Sequence, residues 1–189
     1  MNKNSDRPLV RIGVVGIGGA GGNAVNRMMQ EKKKSAKEVF HGVLIMAANT
    51  DVQDLERTGA DVKIQLGPEK TKGFGAGANP AVGREAAEES KVAIASHLDG
   101  LDMLFITAGM GGGTGTGAAP AGGEIAKSAG ILTVAVVTTT FNFEGAQRRK
   151  IAREGVDQLR RQVDALVIIP NEKLVSIADD DATCDDMFR

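Results

Sequence analysis

The chain has no tryptophan and no tyrosine, and aromatic residues make up only 3% of its 189 residues. Surfaces that bind single-stranded nucleic acid use several exposed rings along a basic groove. The formal net charge is −1, so no overall positive field would attract nucleic acid or an anionic membrane. We therefore expect no nucleic-acid partner, and any bound anion must be held by local groups.

Cysteine and histidine are also scarce. Cys184 has no second cysteine to pair with, and His41 and His97 show no metal-ligand or catalytic spacing. The apolar run near the N-terminus is short and ends in glycines, unlike a signal-peptide core or a membrane span. We expect a protein of the reducing cytoplasm without direct membrane insertion.

Glycine, by contrast, is abundant: 25 residues, concentrated at 13–22, 73–83 and 109–123. Short β-branched apolar runs predict buried strands, and longer segments between them have helical spacing. The predicted strands are 9–15, 43–48, 102–108, 131–138 and 163–169, and the predicted helices are roughly 20–35, 80–98, 114–128 and 145–161. This alternation predicts a one-domain, three-layer α/β fold, with a mostly parallel sheet and helices on both faces. The glycine clusters would lie at its carboxyl edge, where ligands bind.

The first glycine cluster matches G-x-G-x-x-G at Gly16, Gly18 and Gly21, after a strand and before a helix. Asp51 follows the second predicted strand, so the pair resembles a dinucleotide-binding motif of an NAD-dependent oxidoreductase. A glycine turn that only lets helix and sheet pack closely explains the motif equally well. The motif alone leaves both interpretations open.

The loop from Gly109 to Gly117 reads GMGGGTGTG and lies between an apolar strand and an alanine-rich helix. Successive glycines permit a concave array of backbone N–H donors, and two threonines add hydroxyls. No G-x-x-x-x-G-K-[ST] occurs, so no P-loop lysine reaches the phosphates. The loop predicts a nucleotide-phosphate site that relies on backbone dipoles and Mg²⁺.

Charged side chains supply fewer candidates. Glu144 and Arg148 are four residues apart in FNFEGAQRR and would share a helix face after a strand end. Taken alone, this spacing favours an ordinary surface ion pair, and the position after a strand end keeps ligand contact as the alternative. The acidic residues at 179–186 lack the spacing of a calcium loop, and no G-x-S-x-G or Cys/His constellation is present.

Six strings in order complete the pattern: GIGGAGGNAVNRM, AANTD, GFGAGANP, GMGGGTGTGAAP, TTTFNFEGAQRR and VIIPNEKL. They span nearly the whole chain, which resembles the bacterial tubulin-like cell-division GTPases of the FtsZ family. The resemblance implies a tubulin/FtsZ-type GTPase domain over residues 1–189 that ends at the start of a connecting helix. It also implies binding of GTP or GDP with Mg²⁺.

The family's nucleotide contacts carry over onto five segments of this sequence. The first loop and its helix would contact the nucleotide, the glycine-threonine loop would hold the phosphates, and Glu144 and Arg148 would contact the ribose and phosphate region. Asn171 would recognise guanine and Phe188 would pack at the base. The implied binding residues are Gly19, Ala20, Gly21, Gly22, Asn23, Arg27, Gly111, Gly112, Gly113, Thr114, Gly115, Glu144, Arg148, Asn171 and Phe188.

The sequence departs from the family pattern in three places. Thr140 stands where the family usually has proline, and residues 31–40 resemble an insertion. The chain also ends at Arg189, before the family's guanine-binding aspartate and the loop whose acidic residues complete a neighbouring subunit's active site. The resemblance therefore implies no catalytic residue within this chain.

The resemblance further implies a homopolymer assembled head to tail at the mid-cell division site, with other division proteins bound through C-terminal regions outside this sequence. A non-catalytic tubulin-like cytoskeletal regulator would share the same motifs. We keep this regulator and the NAD-dependent oxidoreductase as alternatives.

Overall fold

A computed structural model describes residues 10–34 and 42–173. Six strands form one parallel sheet in the order β3-β2-β1-β4-β5-β6. The strands are β1 (Ile12–Ile17), β2 (Val43–Asn49), β3 (Val62–Gln65), β4 (Met103–Gly109), β5 (Leu132–Thr139) and β6 (Ala165–Pro170). The predicted parallel α/β architecture is confirmed.

Helices connect these strands, as parallel pairing requires. They are α1 (Gly18–Lys34), α2 (Val52–Glu56), α3 (Pro68–Thr71), α4 (Pro80–Glu89), α5 (Lys91–Leu98), α6 (Thr114–Ser128) and α7 (Ala146–Arg160), with a 3-10 turn at Asn142–Glu144. None of the helices in the described residues is long and apolar enough to span a bilayer.

The single helix predicted over 80–98 is wrong in one respect, because it is divided at Ser90 into α4 and α5. The Ser90 hydroxyl accepts a hydrogen bond from the Gly67 N–H at 2.9 Å and donates to the Gln65 carbonyl at 3.2 Å. These bonds tie the junction to the end of β3. Strand β3 was itself not predicted, and neither were the short helices α2 and α3.

The two faces of the sheet are covered unequally. Helices α1 and α2 pack on β1, β2, β3 and β4, whereas α6 lies on the opposite face beneath α4, α5 and α7. Helix α6 is buried along almost its entire length. On the α1 side, β5 and β6 leave apolar side chains exposed: Leu132 by 51%, Val167 by 49% and Ile169 by 38%. We call these three residues the open sheet face.

Candidate nucleotide site

The site lies where the connections of β1 and β4 diverge. These strands are neighbours, yet α1 follows β1 onto one face and α6 follows β4 onto the other. In parallel sheets this divergence opens a crevice at the strand carboxyl ends. Gly18 begins α1 directly after β1, and four residues separate β4 from Thr114 at the start of α6.

Several glycines here are required by the protein's own packing. A β-carbon on Gly16 would collide with the carbonyl oxygen of Gly21, and one on Gly21 would lie 2.5 Å from the Thr107 oxygen. A β-carbon on Gly115 would meet the Gly109 oxygen. In each case the atom that the new β-carbon would meet belongs to the backbone, so a side-chain rotation could not relieve the contact. Much of the G-x-G-x-x-G pattern is thus explained by close helix–strand packing.

Two other glycines have no such packing reason. A β-carbon on Gly112 would meet nothing within 4 Å, and one on Gly19 would have only the Asp54 carboxylate nearby, at 3.8 Å. Both residues line one cavity of about 290 Å³ between the two glycine loops. The rest of its lining is Ile17, Ala20, Gly109, Met110, Gly111, Gly113, Thr114, Gly115, Thr140, Glu144 and Arg148. We call this space the glycine-loop cavity.

Two helix N-termini border the glycine-loop cavity. The first backbone N–H groups of a helix have no intrahelical acceptor and carry partial positive charge, which favours anions. Helix α6 has no side-chain cap at Gly113, which leaves these donors available. Gly111 has φ of +116° and donates its N–H to the Thr116 hydroxyl at 2.9 Å, which fixes the loop.

The start of α6 is held from two more directions. The hydroxyls of Thr50 and Thr114 lie 2.6 Å apart, which links the end of β2 to the first residue of α6. A β-carbon on Gly113 would lie 2.8 Å from the backbone nitrogen of Asn79 and 2.9 Å from the Ala76 β-carbon. The third glycine cluster therefore packs against the second, as expected for loops at one sheet edge.

Glu144 and Arg148 form the far wall of the glycine-loop cavity. Arg148 donates to Glu144 Oε2 at 2.8 Å, and Glu144 Oε1 accepts the Phe141 N–H at 2.7 Å. The Glu144 side chain is 20% exposed and that of Arg148 is 51% exposed. Glu144 thus orders the β5–α7 loop and directs Arg148, the one cation among the described residues that line this cavity.

The remaining sequence-derived candidates lie apart from this wall. Gly22 and Asn23 line a second cavity of about 290 Å³ beside α2, which shares Gly19 with the first. Arg27 is half-buried on α1 and lines neither cavity. Phe188 lies outside the described residues.

Asn171 is 8% exposed at the end of β6, and its Oδ1 accepts no hydrogen bond in the described part of the chain. A buried amide oxygen without a partner is costly, and such groups call for an explanation. Sequence reasoning did not single out Ile17 and Thr140 as cavity residues, although both lie in recognised segments.

Asp51, the acidic residue of the dinucleotide-motif interpretation, has a structural role. Its Oδ1 accepts the backbone N–H groups of Gln53 at 2.9 Å and Asp54 at 3.2 Å, so it caps helix α2. One oxygen of the carboxylate expected to hold an NAD ribose is therefore engaged within the protein. Among residues 10–34 and 42–173, no cluster of three or more acidic, His or Cys side chains could hold a metal ion.

Comparison with known proteins gives one family. The model of the Tubulin/FtsZ family, GTPase domain, matches residues 11–179. Cell division protein FtsZ from Pseudomonas aeruginosa is 56% identical over 172 residues, covering 91% of this chain and 42% of that protein. The FtsZ of Coxiella burnetii is 52% identical over 179 residues, covering 95% and 45%. The chain spans less than half the length of these curated relatives.

Solved structures agree with the fold. An FtsZ dimer from M. jannaschii superposes with a TM-score of 0.88 and 46% identity, covering 97% of this chain and 51% of that chain. A GTPγS-bound CetZ2 protofilament from Haloferax volcanii superposes with a TM-score of 0.80 at 23% identity, covering 95% and 54%, which supports the fold alone. The NAD-dependent oxidoreductase interpretation is not favoured by these matches. The chain belongs to the Tubulin/FtsZ family, and its residues 11–179 correspond to the GTPase domain.

Proposed function

We propose that this chain binds GTP at the glycine-loop cavity and forms the nucleotide-binding part of a filament-forming cell-division GTPase. Gly111–Gly115 would hold the phosphates, and residues 19–23 at the start of α1 would contact the nucleotide. Glu144 and Arg148 would contact the ribose and phosphate region, and Asn171 would read guanine. Arg27 and Phe188 remain expectations from the family resemblance.

One observation carries this proposal: Gly19 and Gly112 line the same cavity, and neither is required there by a clash within the protein. A glycine without a packing role is explained by a ligand that must come close to the backbone. The donors at the starts of α1 and α6 suit a phosphate chain. Among the described lining residues, only Arg148 carries a positive side chain, so backbone dipoles would supply most of the attraction.

Hydrolysis would need groups from elsewhere. Glu144 is the one carboxylate among the described residues of the glycine-loop cavity, and its two oxygens accept hydrogen bonds, one from the Phe141 N–H in the β5–α7 loop and one from Arg148 on α7. It is therefore poorly placed to activate a water molecule. We propose that the acidic residues come from a neighbouring subunit, and that this chain alone binds GTP with little turnover.

Mg²⁺ would be held mainly by the nucleotide and by water. The described residues offer no acidic cluster for it, and Mg²⁺ commonly binds substrate phosphates while keeping several waters. Its chemistry would be to neutralise phosphate charge.

Assembly would be head to tail, since a heterologous contact that does not close produces an open filament. The M. jannaschii FtsZ structure named above is a dimer, which supports self-association of the full-length protein. The family points to the cytoplasmic face of the mid-cell division site and to division-protein partners that bind regions beyond this sequence.

Calorimetric titration of the 189-residue chain with GTP, ATP and NAD tests the proposal. We expect GTP to bind more tightly than ATP, with no measurable heat from NAD. Preferential binding of NAD would overturn the proposal. In a protein extended to the length of its relatives, GTP-dependent light scattering tests assembly, and its absence would favour the non-catalytic regulator.

Asn171 and Asn49 provide a matched test of guanine recognition. Both are buried, at 8% and 7% exposure, but Asn49 Oδ1 accepts the Asp51 N–H at 3.2 Å whereas Asn171 Oδ1 has no partner in the described residues. Asn171→Leu should leave the free energy of unfolding nearly unchanged and weaken GTP binding about tenfold, with ATP affinity unaltered.

Asn49→Leu should instead lower the free energy of unfolding by about 1–3 kcal/mol, because it removes the acceptor of a partly buried hydrogen bond. Urea unfolding and nucleotide titration of both variants separate the two roles. If Asn171→Leu weakens GTP and ATP equally, Asn171 does not read the base.

A further inference from the structure

Thr140 lies at the junction of two spaces and belongs to neither the family's phosphate loop nor its ion pair. It lines the glycine-loop cavity together with Glu144 and Arg148. It also lines a wider groove of about 460 Å³ between α7 and the end of β6. The residue is half-buried and follows the last residue of β5.

The methyl group of Thr140 is placed against the phosphate loop. A β-carbon built on Gly111 would collide with Thr140 Cγ2, so the methyl rests on the Gly111 backbone. A β-branched side chain has few χ1 choices, and a packed methyl selects one of them. The hydroxyl on the same β-carbon therefore has a defined position beside the loop.

The polar groups of Thr140 are left available by the surrounding structure. The next two N–H groups are both paired, Phe141 with Glu144 at 2.7 Å and Asn142 with Glu172 at 2.7 Å. Within the described residues, neither the N–H nor the Oγ1 of Thr140 has a hydrogen-bond partner. The loop therefore pairs the N–H groups that follow Thr140 and leaves the two donors of Thr140 unpaired beside the cavity. A ligand that accepts hydrogen bonds would satisfy them.

We infer that Thr140 is a phosphate-binding residue, whose hydroxyl and N–H donate to the nucleotide's phosphate chain opposite the N-terminus of α6. The inference rests on the proposed function for its nucleotide. Phosphate is favoured over ribose because the side chain packs on Gly111 in the glycine loop, and both of its free groups can act as donors toward an anion.

Titration of the 189-residue chain with GTP, GDP, guanosine and inorganic tripolyphosphate tests the inference. Thr140→Val keeps the shape and removes the hydroxyl, and we expect GTP and tripolyphosphate to bind about tenfold more weakly, with guanosine unaffected. Thr140→Ser should recover most of the affinity. Thr139→Val is the matched control, since Thr139 lines the groove beside α7 but not the glycine-loop cavity, and should bind like the original chain.

The outcomes separate this inference from the proposed function. If GTP binds no more tightly than ATP but tripolyphosphate binding still depends on Thr140, the guanine proposal fails and the phosphate contact stands. Equal weakening of guanosine would assign Thr140 to the sugar or base, against the inference. The inference would also be overturned if Thr140→Val bound GTP and tripolyphosphate as tightly as the original chain, or if Thr140→Ser weakened their binding as much as Thr140→Val. Absence of binding by any phosphate compound would overturn it too.

Discussion

Gly117→Ala should lower the free energy of unfolding by about 3 kcal/mol, the upper end of the usual range for overpacking. A β-carbon there would collide with the carbonyl oxygen of Pro80 and lie 2.6 Å from the backbone nitrogen of Arg84. Both atoms belong to the backbone of α4, so no side chain can rotate away. Helices α4 and α6 would have to separate, which would disturb the most extensive helix pairing in the fold.

Gly122→Ala is the control for this prediction, because it makes the same change in the same buried helix. Its β-carbon would make an ordinary contact of 3.4 Å with Ile17 Cδ1. Alanine also favours the helix by about 1 kcal/mol over glycine, so stability should stay the same or rise. Urea unfolding of both variants measures the difference. Equal losses would show that α6 tolerates no added carbon, and that the contact with α4 is not the cause.

The largest expected effect on binding is at Gly112, where alanine should weaken GTP affinity about a hundredfold. A new β-carbon would meet no protein atom within 4 Å, so the fold should be unchanged. Because Gly112 lines the glycine-loop cavity, the added methyl group would take up space proposed for phosphate and keep the anion from the backbone donors. Loss of two charge-assisted hydrogen bonds accounts for a change of this size.

Gly59→Ala is the matched control for Gly112→Ala. Gly59 is exposed between α2 and β3, and its β-carbon would lie 3.8 Å from Met29 and 3.9 Å from Asn26. Neither variant should alter the melting temperature, and only Gly112→Ala should alter the dissociation constant for GTP. Unchanged GTP binding by Gly112→Ala would place the phosphate chain elsewhere.

The fold could be predicted where one periodic signal dominates. The segments that became β1, β2, β4, β5 and β6 are apolar and β-branched, as buried parallel strands require. Strand β3, with the sequence VKIQ, alternates apolar and polar residues at the sheet edge and gives only a short signal. Helix α4 ends at Ser90, which forms hydrogen bonds with residues 65 and 67. Because these residues are distant in sequence, local periodicity could not predict this helix end.

The site could be predicted only as far as its loops. Spacing placed Glu144 and Arg148 together, and the structure shows their ion pair. The bond between Thr50 and Thr114 joins residues 64 positions apart, and no spacing rule anticipates it. Glycine itself was ambiguous: the sequence could not separate Gly115, which is needed for packing, from Gly112, which has open space beside it.

The open sheet face has a practical consequence for each of these measurements. Leu132, Val167 and Ile169 present apolar side chains to water on neighbouring strands. Apolar surface of this kind promotes association between chains. Such association should increase with protein concentration, decrease with added detergent and not depend on nucleotide. A dilution series measured by analytical ultracentrifugation, with and without GTP, would distinguish such nonspecific association from GTP-dependent polymerisation.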